Sequence, residues 1–133
     1  MKMKFFIINA SVGLLLLICL NCVSSKTIIK LTEKDAGAKI QLTRQQYLQI
    51  ELKSNPSTGY SWVIAAIDSS IISQSSSPQY ETHSQATGGA GNSILTFKPQ
   101  KTGDFSLRLV YKRIWERNVA PRDSFFISGT VAP

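Results

Sequence analysis

In several stretches of this chain apolar and polar residues alternate one for one, the period of a strand with one buried face. The clearest case is 105–112, where Phe105, Leu107, Leu109 and Tyr111 fall on one face. Leu48, Ile50 and Leu52 alternate with Gln49, Glu51 and Lys53 in the same way, and Leu95 and Phe97 with Thr96 and Lys98. Runs at 27–31, 39–43, 60–67 and 124–131 complete the expected strands, with a weak one at 79–82. Turn residues separate them at 33–37, 55–59 and 101–104, and Pro99 ends the strand before the last of these. The serine-rich stretch 68–78, with Ile71 and Ile72 in its middle, reads as an irregular crossing without a domain boundary. No segment holds a helical period, and the turn signals recur every ~8–12 residues, which predicts an all-β sandwich. Trp62, at the start of a central strand, is an expected core aromatic.

That architecture carries a geometric consequence. If consecutive strands run antiparallel, every second connection falls at the same end of the sandwich. With the strand at 47–53 taken as the second, loops 55–59, 84–91 and 113–123 share one end. These three hold the chain's unusual residues. The first, Asn55-Pro56-Ser57-Thr58-Gly59, has a physical reason at each position: Pro fixes φ, Asn and Ser bond nearby backbone, and Gly accepts a positive φ. A loop this stiff has less entropy to lose on binding, although it also serves as an ordinary hairpin corner. The second, Gly88-Gly89-Ala90-Gly91, is nearly without side chains, which suits close approach to another backbone. It lacks the Lys-Ser/Thr and the following helix of a phosphate-binding loop, and a flexible hairpin loop is its plainer reading. The third begins Arg113-Ile114-Trp115-Glu116-Arg117. Trp and Arg are frequent interface anchors, and a Trp in a connecting loop either serves as one or folds back over the sandwich end.

Residues 1–25 change the picture of where such a domain works. Lys2 and Lys4, an apolar segment from Phe5 to Ile18, and then Ser24 and Ser25 have the layout of a secretory signal peptide. Cleavage after Ser24 or Ser25 leaves a single domain over 26–133 and removes Cys19 and Cys22, so its stability rests on core packing rather than on a disulfide. An uncleaved membrane anchor and a lipid-modified Cys22 or Cys19 are the other readings of the segment. Asn21 and Ile18 stand where a bacterial lipoprotein signal places a small residue before its cysteine. The expected destination is secreted or extracytoplasmic, including periplasmic, lysosomal or vacuolar space, as a monomer with no stable membrane insertion. Of the 15 basic residues two are in the leader, so with 8 acidic residues the net charge falls from +7 to +5 without it. The bias is mild, and no cluster of cations interleaved with stacking aromatics marks a nucleic-acid reader.

Catalytic chemistry finds little to work with. His83 is the only histidine and 26–133 contains no cysteine, which excludes Cys-His chemistry and a His or Cys zinc site. A Ser-His-acid triad would need His83, which has no nucleophile turn near it. The carboxylates are scattered singly. The chain therefore reads as a non-enzyme without metal or cofactor.

The three loops together resemble the motifs of the chagasin-like inhibitors of cysteine peptidases. That family's Asn-Pro-Thr-Thr-Gly stands here as Asn55 to Gly59, with Ser57 for the first threonine. Its Gly-x-Gly-Gly aligns with Gly88, Gly89, Ala90 and Gly91, Ala90 replacing a glycine, and its Arg-Pro-Trp with Arg113, Ile114 and Trp115, Ile114 replacing proline. The resemblance implies an immunoglobulin-like sandwich that inhibits papain-like, cathepsin L-type cysteine peptidases by wedging three loops into the cleft. It places Ser57 and Thr58 near the catalytic thiolate, Trp115 and Arg113 on the cleft wall near the catalytic histidine, and the glycine loop on the opposite side. Two other functions use the same features. A carbohydrate or adhesion module would stack sugars on Trp115 and Tyr60, and a structural domain would pair its strand edges.

Overall fold

The computed structural model describes residues 25–83, 85 and 88–133. The leader expected over 1–25 therefore lies, apart from Ser25, outside the described residues. In chain order the strands are β1 (Thr27–Thr32), β2 (Lys39–Thr43), β3 (Gln46–Ser54), β4 (Ser61–Ile67), β5 (Ile72–Gln74), β6 (Gln79–Thr82), β7 (Gly91–Pro99), β8 (Gly103–Lys112) and β9 (Asp123–Ala132). One sheet runs β1-β3-β7, with β5 and β6 both on the far edge of β7; the other runs β2-β9-β8-β4. No helix among the described residues is long and apolar enough to cross a membrane.

Period-two patterning decides what lies between the sheets. In β3 and β7, Leu48 opposes Phe97 and Ile50 opposes Leu95. In β8 and β9, Leu107 opposes Ile127 and Leu109 opposes Phe125. All eight side chains are buried and meet in one core with Leu42, Phe105 and Val131. Trp62 is buried among them as expected, and its indole N–H donates to the Lys53 carbonyl across the sheets at 2.9 Å. A buried indole finds its partner here, so the burial carries no unmet polar group.

The crossing expected over 68–78 contains a strand. Ile72 is fully buried, and its strand β5 pairs with Phe97 to Pro99 at one end of β7, while β6 pairs with Gly91 to Ile94 at the other. The two short strands lie along the same edge in the same direction, as one strand interrupted at 75–78. Three residues carrying a single fully buried apolar side chain give alternation too little length to register. Because β5 and β6 count as one crossing, the parity that brings loops 55–59, 84–91 and 113–123 together is preserved. The chain also departs from simple antiparallel order at its start. β1 pairs parallel with β3, and β2, in the other sheet, pairs parallel with β9. A single turn at Glu33–Asp35 makes the switch, with the Glu33 carboxylate accepting the Lys53 N–H and the Gly37 N–H donating to the Phe126 carbonyl at 2.6 Å.

Leu109→Ala removes a fully buried side chain from the middle of this core. It is expected to lower the unfolding free energy by about 2–5 kcal/mol, read from the urea midpoint at unchanged m-value. A loss well below 1 kcal/mol would contradict the packing described.

Candidate functional site

The first loop is one turn of 3-10 helix at Pro56–Thr58, capped at both ends. Asn55 precedes it in extended conformation, and its side-chain oxygen accepts the Ser57 N–H at 3.2 Å and the Ser57 hydroxyl. The Asn55 carbonyl accepts the Thr58 N–H at 3.1 Å and the Thr58 hydroxyl at 2.6 Å. Pro56 needs no N–H partner at the turn's first position and presets its φ. Gly59 closes the turn at φ +80°, its N–H donating to the Pro56 carbonyl at 2.9 Å. Pro56, Asn55 and Gly59 play their expected parts within the loop, while the Ser57 hydroxyl bonds the Asn55 side chain rather than backbone of its own loop. At its start the loop is anchored to the sandwich by the Asn55 N–H, which donates to the Tyr111 hydroxyl at 2.9 Å.

The third loop leaves β8 after Lys112 and returns at β9, closed at its base by the Arg122 N–H donating to the Tyr111 carbonyl at 2.9 Å. Tyr111 stacks at 5.1 Å on Trp62, its partner across the strands, and at 5.3 Å on Tyr60. Both loop ends meet that column. The Arg113 guanidinium lies 4.6 Å and the Arg122 guanidinium 5.3 Å from the Tyr60 ring centre. Arg113 also donates from Nε to the Thr58 carbonyl at 2.9 Å and pairs with Glu116 at 3.1 Å. Its charge-assisted bonds thus tie the third loop to the first and to itself. Trp115 lies over Gly59: a Cβ built on Gly59 would fall 2.3 Å from the indole ring. The indole is nevertheless 64% exposed, with Ile114 at 67% and Val119 at 56% beside it in the same loop. The fold-back over the sandwich end and the presented anchor are therefore one conformation.

The second loop borders the first on its other side. Gly88, at φ +76°, has its carbonyl 3.4 Å from the Ser57 hydroxyl, whose single proton goes mainly to the closer Asn55 side-chain oxygen and is shared with this carbonyl. The Tyr80 hydroxyl donates to the Gly89 carbonyl at 2.9 Å, and the His83 N–H to the Ala90 carbonyl at 3.4 Å. An open cleft between the two loops is lined by Pro56, Ser57, Tyr80 and Gly89. Gly88 and Ala90 are exposed, but Gly91 is the buried first residue of β7, paired with Ser54 and Thr82. Its missing side chain has an internal reason, since a Cβ there would come 2.1 Å from the Glu81 carbonyl.

The twelve expected site residues thus gather at one end, with Ser57 touching the second loop and Gly59 the third. Patterning did not point to Tyr80, Tyr111 or Arg122 as the braces, because their roles depend on register and on pairings between distant strands. Val119 was missed although its signal is visible, an apolar residue in a polar loop. Among the described residues no three His, Cys, Asp or Glu side chains are grouped to hold a metal ion.

Comparison with known proteins shows the family. The model of the chagasin family peptidase inhibitors, I42, matches residues 41–128, which span β3 to β8 and all three loops. This chain belongs to the chagasin family. Amoebiasin-2 of Entamoeba histolytica is 31% identical over 112 residues, covering 83% of this chain and 91% of that protein. Amoebiasin-1 of the same organism is 28% identical over 95 residues, covering 71% and 91%. The crystal structure of the cysteine protease inhibitor EhICP2 from Entamoeba histolytica superposes with a TM-score of 0.71 at 28% identity, covering 80% of this chain and 96% of that one. The fold extends to PbICP-C, solved in complex with falcipain-2, with a TM-score of 0.54 at 22% identity over 81% of this chain and 93% of that one. The chagasin family comprises inhibitors of cysteine peptidases, not enzymes, and membership favours that function over the glycan-binding and strand-pairing readings. The all-β sandwich inferred from alternation is the chagasin fold.

Gly59→Ala tests the contact between the first and third loops. The left-handed conformation costs an L-residue about 1–2 kcal/mol, and the added methyl displaces the Trp115 indole. In amide-correlation spectra the Trp115 indole signal should move while that of Trp62, held by Lys53, stays. An unmoved Trp115 signal would contradict the contact.

Proposed function

We propose that this chain is a reversible inhibitor of papain-family, cathepsin L-type cysteine peptidases, which it blocks by inserting the edge formed by Asn55 to Gly59, Gly88 to Gly91 and Arg113 to Trp115 into the substrate cleft. The observation that carries the proposal is the pair of contacts that make three loops one surface, Ser57 to Gly88 and Gly59 to Trp115. Loops already joined lose little entropy on docking. The first loop is central, so Ser57 and Thr58 are the residues nearest the catalytic thiolate. Its 3-10 turn is closed by its own hydrogen bonds and does not lie extended in the cleft as a substrate peptide would, which accounts for inhibition without cleavage. Gly88 to Ala90 follow one wall, and Trp115 packs on the other. Falcipain-2, the partner of the fold neighbour PbICP-C, agrees with this choice of target. We place the protein outside the cytoplasm, with no stable membrane insertion once the leader is removed, on the strength of the leader layout at 1–25.

The test is titration of papain and of a cathepsin L-type enzyme with the protein, with a trypsin-type serine peptidase as control. Stoichiometric, reversible inhibition of the cysteine enzymes alone is expected, and a folded protein that inhibits neither would overturn the proposal. Trp115→Ala should weaken inhibition about tenfold or more, the cost of one well-placed anchor. Because Trp115 is mostly exposed, that variant should unfold at an unchanged urea concentration.

A further inference from the structure

The proposed wedge has an asymmetric charge distribution, and the asymmetry specifies its partner more closely. Loops 55–59 and 88–91 carry no charged side chain at all. On the strand leading into the second loop, the exposed Glu81 of β6 is the charged residue, with His83 two positions on. Behind the first loop, a hollow holds Glu33 and Asp123 together with Lys53 and Arg122, a balanced set. In the third loop Arg113 is paired with Glu116, and Arg122 lies over Tyr60. Lys112 and Arg117 remain. Neither has an ion-pair partner among the described residues, and Arg117 is exposed in the same loop as Ile114, Trp115 and Val119. The third loop thus carries exposed apolar residues with an unpaired Arg117 among them in the chain and an unpaired Lys112 at its root, whereas the second loop is uncharged and is preceded by Glu81.

Resting on the function proposed above, we propose that loop 113–123 selects among papain-type peptidases for those whose cleft has an apolar wall bordered by an acidic rim, with Arg117 as the residue that reads the rim and Lys112 in support. The loop's apolar residues supply the contact area. The cations supply orientation, since charge at an interface rim governs association rate and its salt dependence more than the lifetime of the complex. An enzyme with a basic rim on that side meets Arg117 as a like charge and associates slowly, although Trp115 still has its wall. Selectivity therefore resides in the rate of capture.

The test measures association and dissociation rates from inhibition progress curves, with two papain-type peptidases chosen for an acidic and for a basic cleft rim, at low salt and at 0.5 M NaCl. Toward the acidic-rimmed enzyme, Arg117→Glu is expected to slow association about fivefold or more at low salt, with dissociation nearly unchanged. At 0.5 M NaCl, where charges are screened within a few ångströms, the difference should shrink below about twofold. Toward the basic-rimmed enzyme the same substitution should speed association. Inhibition that persists with salt-independent association, equal for the two proteins, would overturn this inference and leave the proposed function standing. Loss of all inhibition by the folded, unsubstituted chain would overturn both. If Arg117→Glu abolished adsorption to phosphatidylserine vesicles and left peptidase association untouched, the basic side would belong to an anionic surface and the inference would fail.

Discussion

The Tyr111 hydroxyl accepts the backbone N–H of Asn55 at 2.9 Å, and the arrangement of the whole loop edge depends on where that hydroxyl sits. Its position is fixed from below. Tyr111 lies opposite Trp62 in the β4–β8 pair and stacks on it, and Trp62 is itself held by the Lys53 carbonyl on the other sheet. The first loop is therefore referenced to both layers of the core at once. Tyr60 continues the column outward and takes the guanidiniums of Arg113 and Arg122, so the third loop is referenced to the same point at each of its ends. Aromatic pairs contribute about 0.5–1.5 kcal/mol each and exposed cation–π contacts about 0.5–1 kcal/mol. No single contact is large, but a domain without a disulfide can hold three loops still by adding them.

The division of labour among the loops follows from their chemistry. The Asn55 to Gly59 turn satisfies its own hydrogen bonds and offers a rigid, uncharged prow. The glycine loop presents backbone, with the Gly88 and Gly89 carbonyls held by Ser57 and Tyr80. The third loop offers area and charge. The three departures from the family motifs, Ser57, Ala90 and Ile114, are all on the exposed surface. Ile114 gives up the fixed φ of proline but adds a large apolar side chain beside Trp115, and Ala90 adds one methyl to a loop built for close approach. Arg113 has little freedom left to lose on binding, because it is already engaged with Thr58, Glu116 and Tyr60 within the molecule. Those contacts tie the third loop to the first and to Tyr60.

Much of this was legible in the sequence where a local pattern carries the information. Alternation over four to eight residues is enough to locate β3, β7 and β8 and to put Leu48, Phe97 and Leu109 on their apolar faces. The turn at Asn55 to Gly59 is encoded by residues whose φ preferences and side-chain bonds act within five positions. Even the gathering of three loops at one end follows from counting strands. What stayed hidden depends on contacts between distant residues. β5 shows nothing in its own three residues and exists because β7 offers an edge. The parallel pairings of β1 and β2 are set by the chain crossing between sheets at Glu33–Asp35. Gly91 looks like the end of a binding loop, whereas its bareness is required by the backbone of Glu81.

The central claim is that one preassembled edge, and no other surface, meets the peptidase. Amide hydrogen exchange on the free protein and on its complex with a papain-type peptidase whose catalytic cysteine is replaced by serine tests it most directly. New protection is expected in loops 55–59, 88–91 and 113–117, with β1, β2 and the outer faces of both sheets unchanged. Protection along the edges of β1 or β2, or a complex in which the loop amides exchange as in the free protein, would contradict it.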